Sequence, residues 1–256
     1  MNTGSKVHFV GAGPGAADLI TLRGKALLEN ADVIIYAGSL VNPELLTLAK
    51  QGCEIFNSAH MTLDEVIETI QSAVAAGKAV ARLHTGDPSL YGAIREQMDR
   101  LLALGIDYEI CPGVSSFSAA AAALRAEYTL PEVSQSVIIT RAAGRTPVPE
   151  RETIRALAAH GATMVLFLSA GLLGTVSDDL IAGGYAPDTP AAIVYKASWP
   201  EEKIVRCTVA ELAKCAADNN ITKTALICAG AFLGSDYGLS RLYAPDFSTE
   251  YREAKQ

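Results

Sequence analysis

The sequence lacks the long apolar run that a membrane span requires: nowhere in its 256 residues do ~20 consecutive apolar positions occur. No membrane partner is therefore expected. Cysteine is sparse and scattered. The five thiols (Cys53, Cys111, Cys207, Cys215 and Cys228) are odd in number and never spaced CxxC, which removes the usual basis for a disulfide framework or a thiolate metal site. The four histidines (His8, His60, His84 and His160) form no HxxxH pair, so no metal is expected. Basic charge is in deficit, 21 Lys and Arg against 28 Asp and Glu, for a net charge of −7. A nucleic-acid partner, whose phosphates reward a basic face, is not expected. A few arginines can still build a local pocket for an anionic small molecule. The opening MNTGS lacks the basic, apolar and small-residue order of a secretory signal. Together with scattered free thiols, this makes the cytoplasm the expected location.

What is present is alternation. Hydrophobic residues make up 50% of the chain and charged residues 19%, which suits a globule with a sizeable buried core. KVHFV, ADVIIYAG, CEIF, KAVARLHTG and DYEIC read as strands separated by helical stretches. Thr62-Leu-Asp-Glu65 is a capping box, and the helix it opens carries Val66, Ile67, Ile70, Ala73 and Val74 on one face before Gly77 stops it. YGAIREQMDRLLALG predicts a helix ending at Gly105. The pattern restarts at QSVIITR and continues through ATMVLFLSA, PAAIVYKAS, EKIVRCTV and TALICAG. Residues after about Ser235 are polar and aromatic without period, a tail or a partner-contacting arm. The expected fold is α/β: two α/β lobes, 1–128 and 129–256, each with largely parallel strands and with a ligand cleft between them.

Gly11-Ala-Gly13-Pro-Gly15-Ala16 follows a strand and satisfies the loose G-x-G-x-x-G/A pattern of dinucleotide-binding loops. Three features argue against a nucleotide. Pro14 removes an N–H from the middle of the turn, the helical pattern resumes only after Asp18 or Thr21, and the second strand ends in IIYAG without the acidic residue that would hold a ribose. HTGDPS and PGVSS lie at the ends of two further strands. Asp87 fits either a helix cap or a carboxylate facing a cation, and Ser115 and Ser116 fit either a cap or a ligand contact.

VGAGPGAADLITLRG, ADVIIYAGSLV, HTGDPSLYG and PGVSSFSAAAA together resemble the tetrapyrrole (corrin and porphyrin) methylase family, and the likeness continues through TRAAGRTPVP, MVLFLSAG, VYKASWPEEKIVRCTV and TALICAG. YAGSLVNPELL and TRAAGRTPVPE resemble the subgroup acting on C-11 of precorrin-4 or cobalt-precorrin-4. The resemblance implies a two-lobed homodimer using S-adenosylmethionine. It implies cofactor contacts at Pro14, Thr85, Gly86, Asp87, Leu90, Ser115 and Ser116, then at Leu168, Ala197, Thr224 and Ala225. Leu168 stands where relatives often carry methionine, and Ala197 where some carry glycine.

Methyl transfer from a sulfonium to an electron-rich ring carbon is an in-line displacement. It needs positioning more than a protein base, so no catalytic acid or nucleophile is assigned. The implied substrate carries acetate and propionate arms. Arg141 and Arg145 are candidate clamps for them, with Gly13 and Tyr36 as further candidate contacts and Lys196 and Arg82 as weaker ones. His84 fits a proton shuttle or a hydrogen-bonded structural role. The competing readings are another ring-carbon methylase of the same fold and an NAD-dependent oxidoreductase.

Overall fold

The computed structural model describes residues 7–254. By its contacts the chain divides into two units. One comprises the residues up to Ala120 together with Lys196–Glu202, the other Ala121–Tyr195 and the residues from Lys203 onward.

The first unit is built on β1 (Val7–Gly11), α1 (Leu22–Asn30), β2 (Val33–Tyr36), β3 (Glu54–Asn57), α2 (Leu63–Ala75), β4 (Val80–His84), α3 (Arg95–Ala103) and β5 (Tyr108–Cys111). Its sheet runs β3-β2-β4-β1-β5 with every pair parallel. Central β4 (VARLH) is buried along its whole length, as a strand covered on both faces must be. Phe9, Ile35, Val66, Ile70 and Leu101 form the core on one side of the sheet, and Val10, Leu28, Ile34, Leu45 and Leu83 the core on the other. The capping box of α2 forms as the sequence predicts: Glu65 N–H donates to Thr62 Oγ1 at 3.3 Å and Thr62 N–H donates to Glu65 Oε2 at 2.6 Å. In this strand order the crossover from β1 leaves over β4 and the crossover from β4 leaves over β1. Their adjacent carboxyl ends are therefore a topological switch point, where open α/β sheets place their sites.

After α4 (Ser116–Leu124), the second unit contains β6 (Val137–Arg141), α5 (Ile154–Ala158), β7 (Thr163–Phe167), α6 (Leu173–Ala182), β8 (Pro190–Tyr195), β9 (Lys203–Thr208), α7 (Leu212–Asp218) and β10 (Ala225–Ala229). Its sheet runs β6-β7-β10-β8-β9. Only β6 and β7 pair in parallel; the other three pairs are antiparallel. The expectation of largely parallel strands is corrected here, and the cause is a single connection. Every helical crossover in this unit joins strands running the same way. Lys196–Glu202, between β8 and β9, carries no helix and falls short of the dozen or so residues a parallel connection needs, so the chain reverses. β9 and β10 then run backwards, and β10 inserts between β7 and β8. Met164, Leu166, Val176, Leu180, Ile193 and Ile227 fill the core. Near the end of the chain Arg252 Nη2 donates to the carbonyls of Leu242 and Ala244, both at 2.8 Å, folding this aromatic stretch back on itself. No helix of the described residues is long and apolar enough to cross a membrane.

Candidate active site

Parallel pairing sets Gly11 beside His84 and Val10 beside Cys111, so GAGPG, TGDPS and PGVSS leave the sheet side by side. They lock to one another through backbone. Ala12 N–H donates to the His84 carbonyl at 2.7 Å, Gly13 N–H to the Gly86 carbonyl at 3.2 Å, and Gly86 N–H to the Gly13 carbonyl at 2.8 Å. The glycines permit this approach. A Cβ at Gly11 would lie 2.5 Å from Gly113 Cα and 2.7 Å from the Gly86 carbonyl oxygen, closer than two chains tolerate. Gly13, at φ +80, occupies the left-handed region as well.

This arrangement disposes of the dinucleotide reading. Such a loop must aim free N–H groups at a pyrophosphate. Here Ala12 and Gly13 spend theirs on the neighbouring loop, Pro14 has none, and Ala16 N–H donates to Ser198 Oγ at 3.0 Å. The following helix begins only at Leu22, capped by the Thr21 hydroxyl.

Asp87 ties the second loop to the third. Its Oδ2 accepts from Gly113 N–H at 2.9 Å and its Oδ1 from Ser89 N–H at 2.9 Å and from the Ser89 hydroxyl. Burial pushes this carboxyl upward, but the Ser89 hydroxyl and the Gly113 and Ser89 N–H groups outweigh it and hold the group below the usual carboxylate range. Asp87 caps no helix, which excludes the cap among its two sequence readings. Tyr91 (φ 57) and Ala93 (φ 49) are left-handed, so helical geometry is interrupted and α3 begins at Arg95.

A further element joins this cluster. The first unit includes Lys196–Glu202, with Ala197 buried. The Trp199 indole lies against Gly15, its Nε1 donates to the Pro14 carbonyl at 3.0 Å, and Lys196 Nζ sits 5.2 Å from its ring centroid. Asn42 Nδ2 donates to the Gly15 carbonyl at 2.8 Å. Pro14, Thr85, Gly86, Asp87, Leu90, Ser115, Ser116 and Ala197 thus fall on connected loops of one unit, and Tyr36 ends neighbouring β2, its carbonyl accepting from Ser58 Oγ at 3.0 Å. Sequence reasoning missed Trp199, Ser198 and Asn42; a lone tryptophan directly after the YKAS strand end was the available signal.

In the second unit β7 and β10 pair as far as Leu166 opposite Ile227; Leu168 follows the end of β7, and Thr224 and Ala225 stand at the start of β10. Leu168 and Thr224 both adopt positive φ, at 53° and 55°, and Leu168 is 68% exposed. Arg141 pairs with Phe167 on the adjacent strand, but its guanidinium donates to the carbonyls of Ala142, Thr146 and Pro147 and so braces its own loop. Arg145 is exposed on that loop.

The chain matches the family model for tetrapyrrole (corrin/porphyrin) methylases over residues 6–213. It is 54% identical to a cobalt-precorrin-4 C(11)-methyltransferase of Methanocaldococcus jannaschii, covering 99% of this chain and 98% of the relative. To a precorrin-4 C(11)-methyltransferase of Mycobacterium tuberculosis it is 48% identical, covering 90% and 92%. The solved structure of a cobalt-precorrin-4 methyltransferase superposes with a TM-score of 0.88 at 50% identity, covering 90% of this chain and 96% of that one. A uroporphyrin-III C-methyltransferase of Thermus thermophilus, solved with S-adenosylhomocysteine, gives a TM-score of 0.74 at 27% identity, covering 90% and 93%. With loops that refuse a pyrophosphate and a likeness running almost end to end, the chain belongs to the tetrapyrrole methylase family.

Proposed function

We propose that the protein transfers the methyl group of S-adenosylmethionine to C-11 of precorrin-4 or its cobalt complex, a step of cobalamin biosynthesis. The observation that carries this reading is likeness over nearly the whole chain to enzymes of that one reaction.

The residues present fit the cofactor by their chemistry. None of the proposed contacts carries a positive side chain, and Asp87 is held ionised among them, which suits a cationic sulfonium and opposes an anion. In the first unit the contacts are Pro14, Thr85, Gly86, Asp87, Leu90, Ser115, Ser116 and Ala197. In the second they are Leu168, Thr224 and Ala225. Bound S-adenosylmethionine supplies a methyl group on a positively charged sulfur.

The chain's own part is placement. Loops cross-linked through backbone hydrogen bonds and an ionised carboxylate cannot drift, and positioning of this kind supplies several kcal/mol of barrier lowering, on the order of 7 in model reactions. Pro14 stiffens the wall, and the indole of Trp199 fixes its carbonyl. No side chain is required to remove a proton before the carbon attacks.

The enzyme acts as a homodimer in the cytoplasm on this reading, which sedimentation and cell fractionation address. The decisive experiment offers precorrin-4 and cobalt-precorrin-4 in parallel with methyl-labelled S-adenosylmethionine and follows products by mass spectrometry and NMR. One labelled methyl at C-11 is expected; methylation at another ring carbon, or none, overturns the proposal.

A further inference from the structure

The first unit holds a cavity of about 260 Å³ whose lining includes Arg82 and His84. Standing two residues apart on β4, they share a face of the strand, and both are buried, at 5% and 3% exposure. Met61, Leu63, Val66 and Leu90 give the cavity apolar walls. The guanidinium is held in a fixed pose. Its Nε donates to Gln97 Oε1 at 3.0 Å and its Nη1 to the Ile35 carbonyl at 3.1 Å, while Gln97 Nε2 donates to the Ala93 carbonyl at 3.0 Å. Arg82 forms no ion pair with a carboxylate of the described residues. Glu96 also lines the cavity but is exposed and forms no such pair. His84 Nε2 is buried without any hydrogen-bond partner.

A buried cation without a counter-charge and an orphaned imidazole nitrogen both cost free energy. Here they sit together at a cavity. Burial lowers the Arg82 guanidinium to about 10. Burial first, and the charge of Arg82 second, push His84 down to about 3, so the imidazole is neutral and carries one N–H. A carboxylate answers both groups at once: it neutralises the guanidinium, accepts from the donors that Gln97 and Ile35 leave over, and accepts from Nε2–H. The apolar walls suit the short methylene stem of such an acid. The volume is ample for one such side arm.

We propose that this cavity seats one acetate- or propionate-type arm of the macrocyclic substrate, with Arg82 supplying charge and His84 a neutral N–H donor. The inference rests on the proposed methyl transfer for the identity of the macrocycle.

The test separates the two. Side-chain ¹⁵N NMR of wild-type protein titrated with sodium propionate is expected to move the His84 resonances, while propionamide leaves them in place. In methyl-transfer assays Arg82→Gln is expected to raise KM for the macrocycle on the order of tenfold or more, the worth of a charge-assisted hydrogen bond, with a smaller change in kcat and unaltered S-adenosylhomocysteine binding. A merely structural Arg82 would lower thermal stability and leave KM alone. Should Arg82→Gln fail to fold, Arg82→Lys, which keeps the charge and loses the fork, is expected to show the same KM-directed loss, and the wild-type titration stands regardless. Propionate that leaves His84 unmoved, or a KM unchanged in the folded variants, overturns the inference. Propionate binding without any methyl transfer would instead overturn the proposed function and leave the anion site standing.

Discussion

Trp199 is the only tryptophan in the chain, and its indole lies on a glycine of the loop that opens the site. An ideal Cβ at Gly15 would fall 2.8 Å from the indole Cγ and nearer still to Cδ1 and Nε1. Gly15→Ala therefore cannot be absorbed by a small shift of a flexible side chain; the ring must leave its seat. It then gives up the hydrogen bond to the Pro14 carbonyl, worth ~1 kcal/mol, and the Lys196 contact over its face, ~0.5–1 kcal/mol. It also gives up part of a buried aromatic surface, at roughly 25 cal/mol per Å². The loss comes to about 2–4 kcal/mol, carried by the first unit. Tryptophan emission reads it directly: the variant should emit further to the red, and its tryptophan-detected urea midpoint should fall. Gly174→Ala is the control with the opposite sign. That glycine lies exposed in α6 with open space around it, so alanine should stabilise by ~0.5–1 kcal/mol through helix propensity alone. If Gly15→Ala left both emission and midpoint unchanged, the indole would not rest on Gly15 and would not clamp Pro14.

The other predictions concern the loops, the strained strand end and the buried histidine. Asp87→Ala should destabilise by ~2 kcal/mol, chiefly through the charged hydrogen bond to Gly113, and should also weaken S-adenosylhomocysteine binding in calorimetry; unchanged affinity would remove Asp87 from the site. Leu168→Gly should relieve left-handed strain and hold or raise stability by up to ~1 kcal/mol while weakening cofactor binding, and a variant that loses stability and binds normally would show Leu168 to be a packing residue. Thr62→Ala, which breaks the capping box of α2, should cost ~1 kcal/mol in urea titrations. His84 is held neutral to about pH 3 in the fold but takes up a proton near 6.5 when unfolded. Its contribution is therefore complete above about 6.5 and is lost as pH falls towards 3. His84→Gln should flatten the decline in urea midpoint between pH 7 and pH 5, and an identical decline would place the titration elsewhere.

Local chemistry in this chain is legible residue by residue. Thr62 and Glu65 announce a helix start that needs nothing outside four residues, and it forms as read. The parallel first sheet follows because every connection in it is long. The second sheet departs from the expectation because alternation gives the number of strands and helices, whereas strand direction is set connection by connection. The reversal was in principle visible, since PAAIVY and KIVRCT are separated only by KASWPEE. The cap reading of Asp87 falls for a related reason: Asp-Pro at a strand end is a good cap signal, but left-handed Tyr91 and Ala93 postpone the helix and the carboxylate reaches another loop. No local pattern reveals that Gly113, 26 residues on, supplies its partner.

The glycine loop shows what such a pattern can and cannot carry. G-x-G-x-x-A states that backbone must come close to something, and a pyrophosphate is one candidate. In this fold the close neighbour is more backbone: Gly11, Gly86 and Gly113 meet where three loops cross at the sheet edge. The same glycines that would cradle an anion instead let these loops bond to one another: the N–H groups of Ala12, Gly13, Gly86 and Gly113 all go to neighbouring loops, and Asp87 stands ionised among them. That arrangement is suited to positive charge. The spacing of the glycines is shared between the two kinds of site, and the difference lies in where the donors point, which depends on strand order and on residues more than 70 positions apart in the chain, such as Ala12 and His84.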